Sequence, residues 1–381
     1  MKTRIRTRVA TLPTILTALV GLYAGCALER PSAPSVDPWD PPKDTSLPPD
    51  QSAAGSAPAD GSATCLAPGA ADAVPDLLSE TGCYVNGAPS PTLVPFEVNA
   101  PLWTDGASKT RFLSVPPDAG IRVGPDGDFE LPPGSVAVKT LSLDGHKLET
   151  RLFMRHLDGS YTGVAYAWDA AQREAYRVPD GDVLPEVGSD RKGWEIPSEG
   201  QCLSCHTAPS HMTLGLELAQ LDRVAPDPDT GEPVDQLARL SQAGLFAEGA
   251  GPEVATGVAP LVDYRDVQQP LEARARAYLH ANCSSCHLEA QGYCTGDMRF
   301  GVPLPDVGVC DEPPKQRLPE WAGAAVSLVT PGAPEASALL LRMAAEPGGQ
   351  AAMPPLGRRR VHDDGVALVK AWIESLSDCS Q

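Results

Sequence analysis

Cys283-Ser-Ser-Cys286-His287 sets two thiols three residues apart with an imidazole directly after the second, and Cys202-Leu-Ser-Cys205-His206 repeats the arrangement 81 positions earlier. With ten cysteines and seven histidines in 381 residues, chance would supply only about 0.005 such pentads. The spacing has a chemical reason. Thioether bonds to two vinyl groups need cysteines on one face of a helical turn, and the adjoining histidine must aim its ring at an iron. The pattern predicts two haem c groups, with Cys202, Cys205, Cys283 and Cys286 as covalent anchors and His206 and His287 as proximal ligands. A zinc ribbon pairs one CxxC with another and requires no histidine after each, and a thioredoxin-like CxxC belongs in a βαβ context that this sequence lacks.

Each iron also needs its far side accounted for. At the second site the candidate is Met353, in Gln350-Ala-Ala-Met353-Pro354-Pro355, where prolines stiffen the loop and a thioether would raise the potential. Met343 and His362 are rivals. After His206 come only His211 and Met212, too near in the chain to reach the opposite face without a sharp turn back, and residues 213–279 contain neither residue type. The expectation is a side chain borrowed from His146, Met154, His156 or His280. The alternative is an open iron able to bind small molecules.

The pentads need elements to position them and a compartment in which haem is attached. Lys2, Arg4, Arg6 and Arg8 precede an apolar run over 9–25, interrupted only by threonines and Pro13, the pattern of an export signal. The run is too short and too interrupted for a membrane span. It ends at Leu22-Tyr23-Ala24-Gly25-Cys26, similar to the processing site of bacterial lipoproteins, which makes Cys26 the expected lipid-bearing N-terminus. Export suits disulfides too. Cys65 is expected to pair with Cys83, and Cys310 with either Cys294 or Cys379.

Eight prolines among Ser, Ala and Asp over 31–58 read as a tether. Period-two alternation then predicts strands at 135–143, 148–156 and 161–168, joined near Asp144-Gly145 and Asp158-Gly159. From 191 onward the signals are helical, at 214–221, 234–245, 271–281, 336–343 and 364–376. The expected organisation is signal 1–25, tether 26–64, β-rich domain 65–190, first haem segment 191–282 and second haem domain 283–381. The expected fold class is multidomain β plus α: an N-terminal β-sandwich or jelly-roll-like domain, then two small, mainly helical cytochrome c-like segments whose haem supplies much of the buried surface.

Taken together, Asn99-Ala-Pro-Leu-Trp-Thr-Asp-Gly-Ala107, the stretch 149–153, both pentads, Met353-Pro-Pro-Leu-Gly357 and Trp372-Ile373 resemble a group of bacterial di-haem c-type cytochromes with a β-rich N-terminal domain. The resemblance spans about residues 75–381. It implies exported redox proteins and no particular enzymatic activity. Removing the signal's four cations takes the formal charge of −19 to about −23, which disfavours nucleic acid and suits a cationic redox partner. The sequence thus predicts an electron carrier on the periplasmic side, lipid-anchored to a membrane such as the outer membrane. A haem enzyme of the di-haem peroxidase kind, an oxidase acting on a substrate held by the β domain, or a redox-sensing module is the alternative.

Overall fold

The computed structural model describes residues 64–380 apart from 186, 191, 289–294 and 322–324. The expected signal, Cys26, the tether up to residue 63 and Cys294 lie outside the described residues. Among the described residues no helix is long and apolar enough to cross a membrane.

A six-stranded antiparallel sheet forms the centre. Its strands are β1 (Val94–Pro95), β2 (Ser108–Ser114), β3 (Val136–Leu143), β4 (His146–Arg155), β5 (Tyr161–Trp168) and β6 (Ala175–Arg177), in the spatial order β6-β5-β4-β3-β2-β1. Each strand therefore pairs with its neighbours in sequence. The β3–β4 connection is the two-residue Asp144-Gly145 loop, with both residues at positive φ, as hairpin twist demands. Register sorts the side chains into two faces. Val138, Leu152 and Val164 lie opposite one another, as do Val136 and Met154, and this face packs on Leu78, Tyr84 and Trp168. The Cys65–Cys83 disulfide closes that core. The other face carries Lys139 opposite Arg151, and Ala137, Phe153 and Gly163 in line.

The chain is thus β-rich with added helices, but a sandwich would require a second multi-stranded sheet. The remaining described strands form two-stranded ribbons, because Gly and Pro break the alternation after two or three residues in those stretches. The second face of the large sheet is covered in part by helix α1 (Glu199–Cys202) and the turn after it. Helices α2 (Leu218–Leu221) and α3 (Gln236–Gln242) share a core with residues 96–131, in which Leu216, Leu221 and Leu240 meet Phe96, Ile121 and Phe129. That core runs across position 190. Helices α4 (Leu271–Cys283), α5 (Ala338–Ala344) and α6 (Asp363–Ser375) form another, around Tyr278, Leu279, Met343, Val369, Trp372 and Ile373. Cys310–Cys379 ties the C-terminal end to it, resolving the pairing of Cys310 that the sequence left open.

Candidate functional site

Two different elements deliver the two pentads to one place. α1 is a single turn, started by Ser198 and Gln201 in a reciprocal capping box, which satisfies helix-start donors that so short a helix could not otherwise cover. α4 is longer by about two and a half turns and ends at Cys283. Beyond each first cysteine the backbone folds alike. The His206 amide donates to the Cys202 carbonyl at 3.1 Å, and the His287 amide to the Cys283 carbonyl at 2.9 Å.

The rings repeat the parallel. His206 Nδ1 donates to the Met212 carbonyl at 2.6 Å, and His287 Nδ1 to the Thr295 carbonyl at 2.8 Å. A carbonyl can only accept, so each ring keeps its hydrogen on Nδ1 and offers Nε2 as a lone pair. Burial pushes both imidazoles down, His206 to about 4, so both rings are neutral near pH 7. A neutral imidazole with one nitrogen tied to a carbonyl is the form in which histidine ligates metals. Phe153 stacks on His206 with centroids 4.0 Å apart, and β5 passes so close that a Cβ on Gly163 would lie 2.6 Å from the Cys202 Cβ.

Cys202, Cys205, Cys283 and Cys286 are free thiols. Cys205 and Cys286 hydrogen-bond one another, which draws Cys286 down to about 7, whereas burial pushes Cys283 up to about 12. The four sulfurs do not gather as zinc ligands do. A tetrahedral zinc site with bonds of about 2.3 Å would draw its sulfurs close together, yet among the described residues only Asp126, Asp128 and His211 bring three His, Cys, Asp or Glu donor atoms within 4.8 Å of one another. The four thiols and two neutral imidazoles therefore stand as two like turns and not as one tetrahedral donor set.

One cavity of about 500 Å³ is lined by both pentads, by the sheet face with Lys139, Arg151 and Phe153, and by Met353, Pro354 and Pro355. That size falls within the usual range for bound cofactors, about 300–1,000 Å³. Part of the cavity wall comes from the stretch 99–106, through Ala100, Leu102, Trp103 and Thr104. Asn99 donates to the carbonyls of Ala219 and Asp222, and Gln220 bonds both ways with Ala100. The Trp103 amide donates to Asn282 Oδ1, next to Cys283, while the Trp103 ring stacks on His362 at 4.5 Å. Asp105, almost fully buried, accepts from the amides of Arg359 and Arg360. One short motif therefore joins the sheet, α4 and the loop that carries Met353 and His362.

The expected far-side ligands separate clearly. Met353, Met343 and His362 all line the cavity. Met343 also belongs to the apolar core, and His362 Nδ1 lies 3.1 Å from the Tyr278 hydroxyl. Of the donors considered for the first site, only His211 and His280 line the cavity. His280 donates from Nε2 to Glu217 at 2.8 Å and accepts the Phe300 amide at Nδ1, so both nitrogens are engaged. His211 Nε2 lies 3.3 and 3.2 Å from the carboxylates of Asp126 and Asp128. Met154 points into the core on the opposite face of the sheet, His156 is buried against the Pro68 carbonyl, and His146 is exposed near its own turn.

Sequence reasoning passed over the charged residues of the sheet. Lys109, Arg111, Lys139 and Arg151 all line the cavity. Burial and neighbouring cations push Lys139 down to about 7, and Lys109 to about 6. Fully buried Glu149 holds Arg151 and accepts from the Trp194 indole. Alternation alone would place these side chains on a polar outer face; only the register and the covering pentad loop turn that face inward.

No family model, no curated protein and no solved structure matches the chain.

Proposed function

We propose that the chain is an exported di-haem c-type cytochrome that passes electrons between redox proteins on the periplasmic side of a membrane, held there by a lipid on Cys26. The observation that carries this reading is the duplicated geometry: two CxxCH turns, each with its histidine Nδ1 tied to a backbone carbonyl, facing one cavity. Haem bound there would supply one-electron chemistry at iron. The chain's part is to anchor, orient and enclose. Cys202, Cys205, Cys283 and Cys286 fix position, His206 and His287 present Nε2, and Met353 offers a thioether from the proline-stiffened loop. The contact between Cys205 and Cys286 brings the two attachment points side by side, which suits exchange of electrons between them. Helices α4, α5 and α6 correspond to the cytochrome c-like part of this reading, and the acidic surface to a cationic partner.

The test is intact mass after export with a haem-ligation system. Two haem additions are expected, one lost in Cys202→Ala with Cys205→Ala and the other in Cys283→Ala with Cys286→Ala; retention of both in either variant sinks the assignment.

The engagement of His280 and His211 with carboxylates favours a second reading, a haem enzyme with an accessible iron face at the first pentad. Cyanide or carbon monoxide titration decides it. Rapid binding at one haem together with peroxide turnover supports the enzyme, and slow or absent binding at both supports the carrier.

A further inference from the structure

We propose that the cavity face of the sheet is a carboxylate-binding site, built from the cross-strand row Arg111, Lys139 and Arg151 with Lys109 at its edge. The inference rests on the di-haem reading in one respect: two haems would bring propionates into this cavity, and a diffusible dicarboxylate is the other source of the same chemistry.

Arg111 lies directly opposite Lys139, and Lys139 directly opposite Arg151, on three adjacent antiparallel strands. Neighbouring strands are about 4.8 Å apart, so the row extends about 10 Å across the cavity wall. Like charges placed directly opposite are destabilising, and three in succession need an opposing charge. Three carboxylates act on these side chains: Glu149 is already held by Arg151 and Trp194, while Glu97 acts on Arg111 and Asp105 on Lys109 only through space. Neither the Lys139 ammonium nor the Arg111 guanidinium donates a hydrogen bond to any described residue, although both line the cavity. Lys109 donates one, to the Leu102 carbonyl at 2.8 Å, and has hydrogen left for another acceptor. In a chain with a formal charge of −19, four basic side chains gathered on one inward face are a built feature, and a carboxylate bound there would hold the two lysines in their charged form. Planar guanidiniums at both ends of the row suit the paired oxygens of carboxylates.

The experiment uses the exported holoprotein with Arg111→Gln and Lys139→Gln variants and four measurements: intact mass, melting temperature, haem reduction potentials and calorimetric titration with succinate. If propionates fill the row, both variants keep two haem additions, melt lower, and show at least one iron shifted about tenfold toward the oxidised form, about 59 mV for one electron, because a nearby cation favours the less positive reduced state. Succinate then gives no heat. If the source is diffusible, succinate gives heat with the wild type that both variants lose, while the potentials stay put; the carboxylate site stands in that case as well. Higher melting temperatures in both variants, unchanged potentials and no succinate heat would mean that the row is unrelieved repulsion, and the inference is overturned. A wild-type mass without haem would defeat the cytochrome reading alone, since the succinate arm still judges the site.

Discussion

Asp105 lies at the joint between the sheet and the loop that carries Met353 and His362, so replacing it tests whether that joint holds the far side of the second site. Its carboxylate accepts the Arg359 amide at 2.9 and 3.1 Å and the Arg360 amide at 3.0 Å, with the Arg360 guanidinium 4.0 Å away. Asp105→Ala leaves two amides without their acceptor, at about 1–3 kcal/mol each, giving an expected loss of about 3 kcal/mol in urea unfolding of the holoprotein. Asp105→Asn keeps the shape and one acceptor oxygen and is expected to cost about 1 kcal/mol. Burial is the largest influence on this carboxyl and raises its pKa despite the amides and the arginines. Ionisation is therefore harder in the folded than in the unfolded chain. The group's contribution to stability is fully present below the ordinary value of 3.8 and is lost as pH rises through the elevated folded value. That slope should vanish in Asp105→Asn. On the di-haem reading, with Met353 as ligand, the same loosening should weaken a methionine-to-iron charge-transfer band in Asp105→Ala. Unchanged stability and an unchanged band in Asp105→Ala would refute the idea that this motif clamps the ligand loop.

Three further outcomes follow from the geometry. Gly163→Ala would drive a methyl into Cys202, 2.6 Å from its Cβ and 2.8 Å from its Sγ; the expected cost is about 1–3 kcal/mol, and on the di-haem reading intact mass should show partial loss of the first haem and full retention of the second. Cys379→Ser opens a disulfide spanning 69 residues and should lower unfolding stability by about 4 kcal/mol on the chain-entropy estimate, measured against the same variant of Cys310, which should match it. On the di-haem reading, Met353→Leu should abolish a methionine-to-iron band and lower the potential of the second haem, whereas His362→Ala should leave the band in place; a wild type without the band, whose potential shifts in His362→Ala and not in Met353→Leu, would assign His362 as the ligand.

What could be read from the sequence depended on how local the determining physics is. The strands β3, β4 and β5 were legible because alternation and an Asp-Gly turn are short-range signals, and they fall within a residue or two of their expected bounds. Helices α4 and α6 were legible by apolar spacing alone. The expected first helix shrank from 214–221 to Leu218–Leu221, since Gly215 takes a positive φ and the residues before it turn instead. The pairing of Cys65 with Cys83 could be anticipated from proximity in the chain, and the choice of Cys379 by Cys310 could not. The role of the 99–107 stretch was illegible although the stretch itself stood out, because Gln220, Asn282 and Arg359 reach it from 120 to 254 residues away. Far-side donors could be counted in the sequence but not sorted. Whether Met154 faces the cavity or the core depends on the pleat, and one residue of register reverses the answer.

The cation row and the joined pentads share one cause. A sheet face becomes a cavity wall only when something stands off it, and here both pentads do. The turn after α1 comes close to β5 because residue 163 is a glycine, and the end of α4 is fixed by Asn282 to the Trp103 amide, on the segment that leads into β2. The sheet therefore sets the positions of both CxxCH turns through different strands, and their cysteines meet at Cys205 and Cys286 although 77 residues of chain separate Cys205 from the start of the second pentad. In this arrangement the β-rich part is no separate appendage to the segment that carries the pentads. It supplies the wall against which His206 is stacked, the charges that face the cavity and the segment that holds the loop of Met353 and His362, so a lesion on either side of the sheet's inner face reaches both pentads.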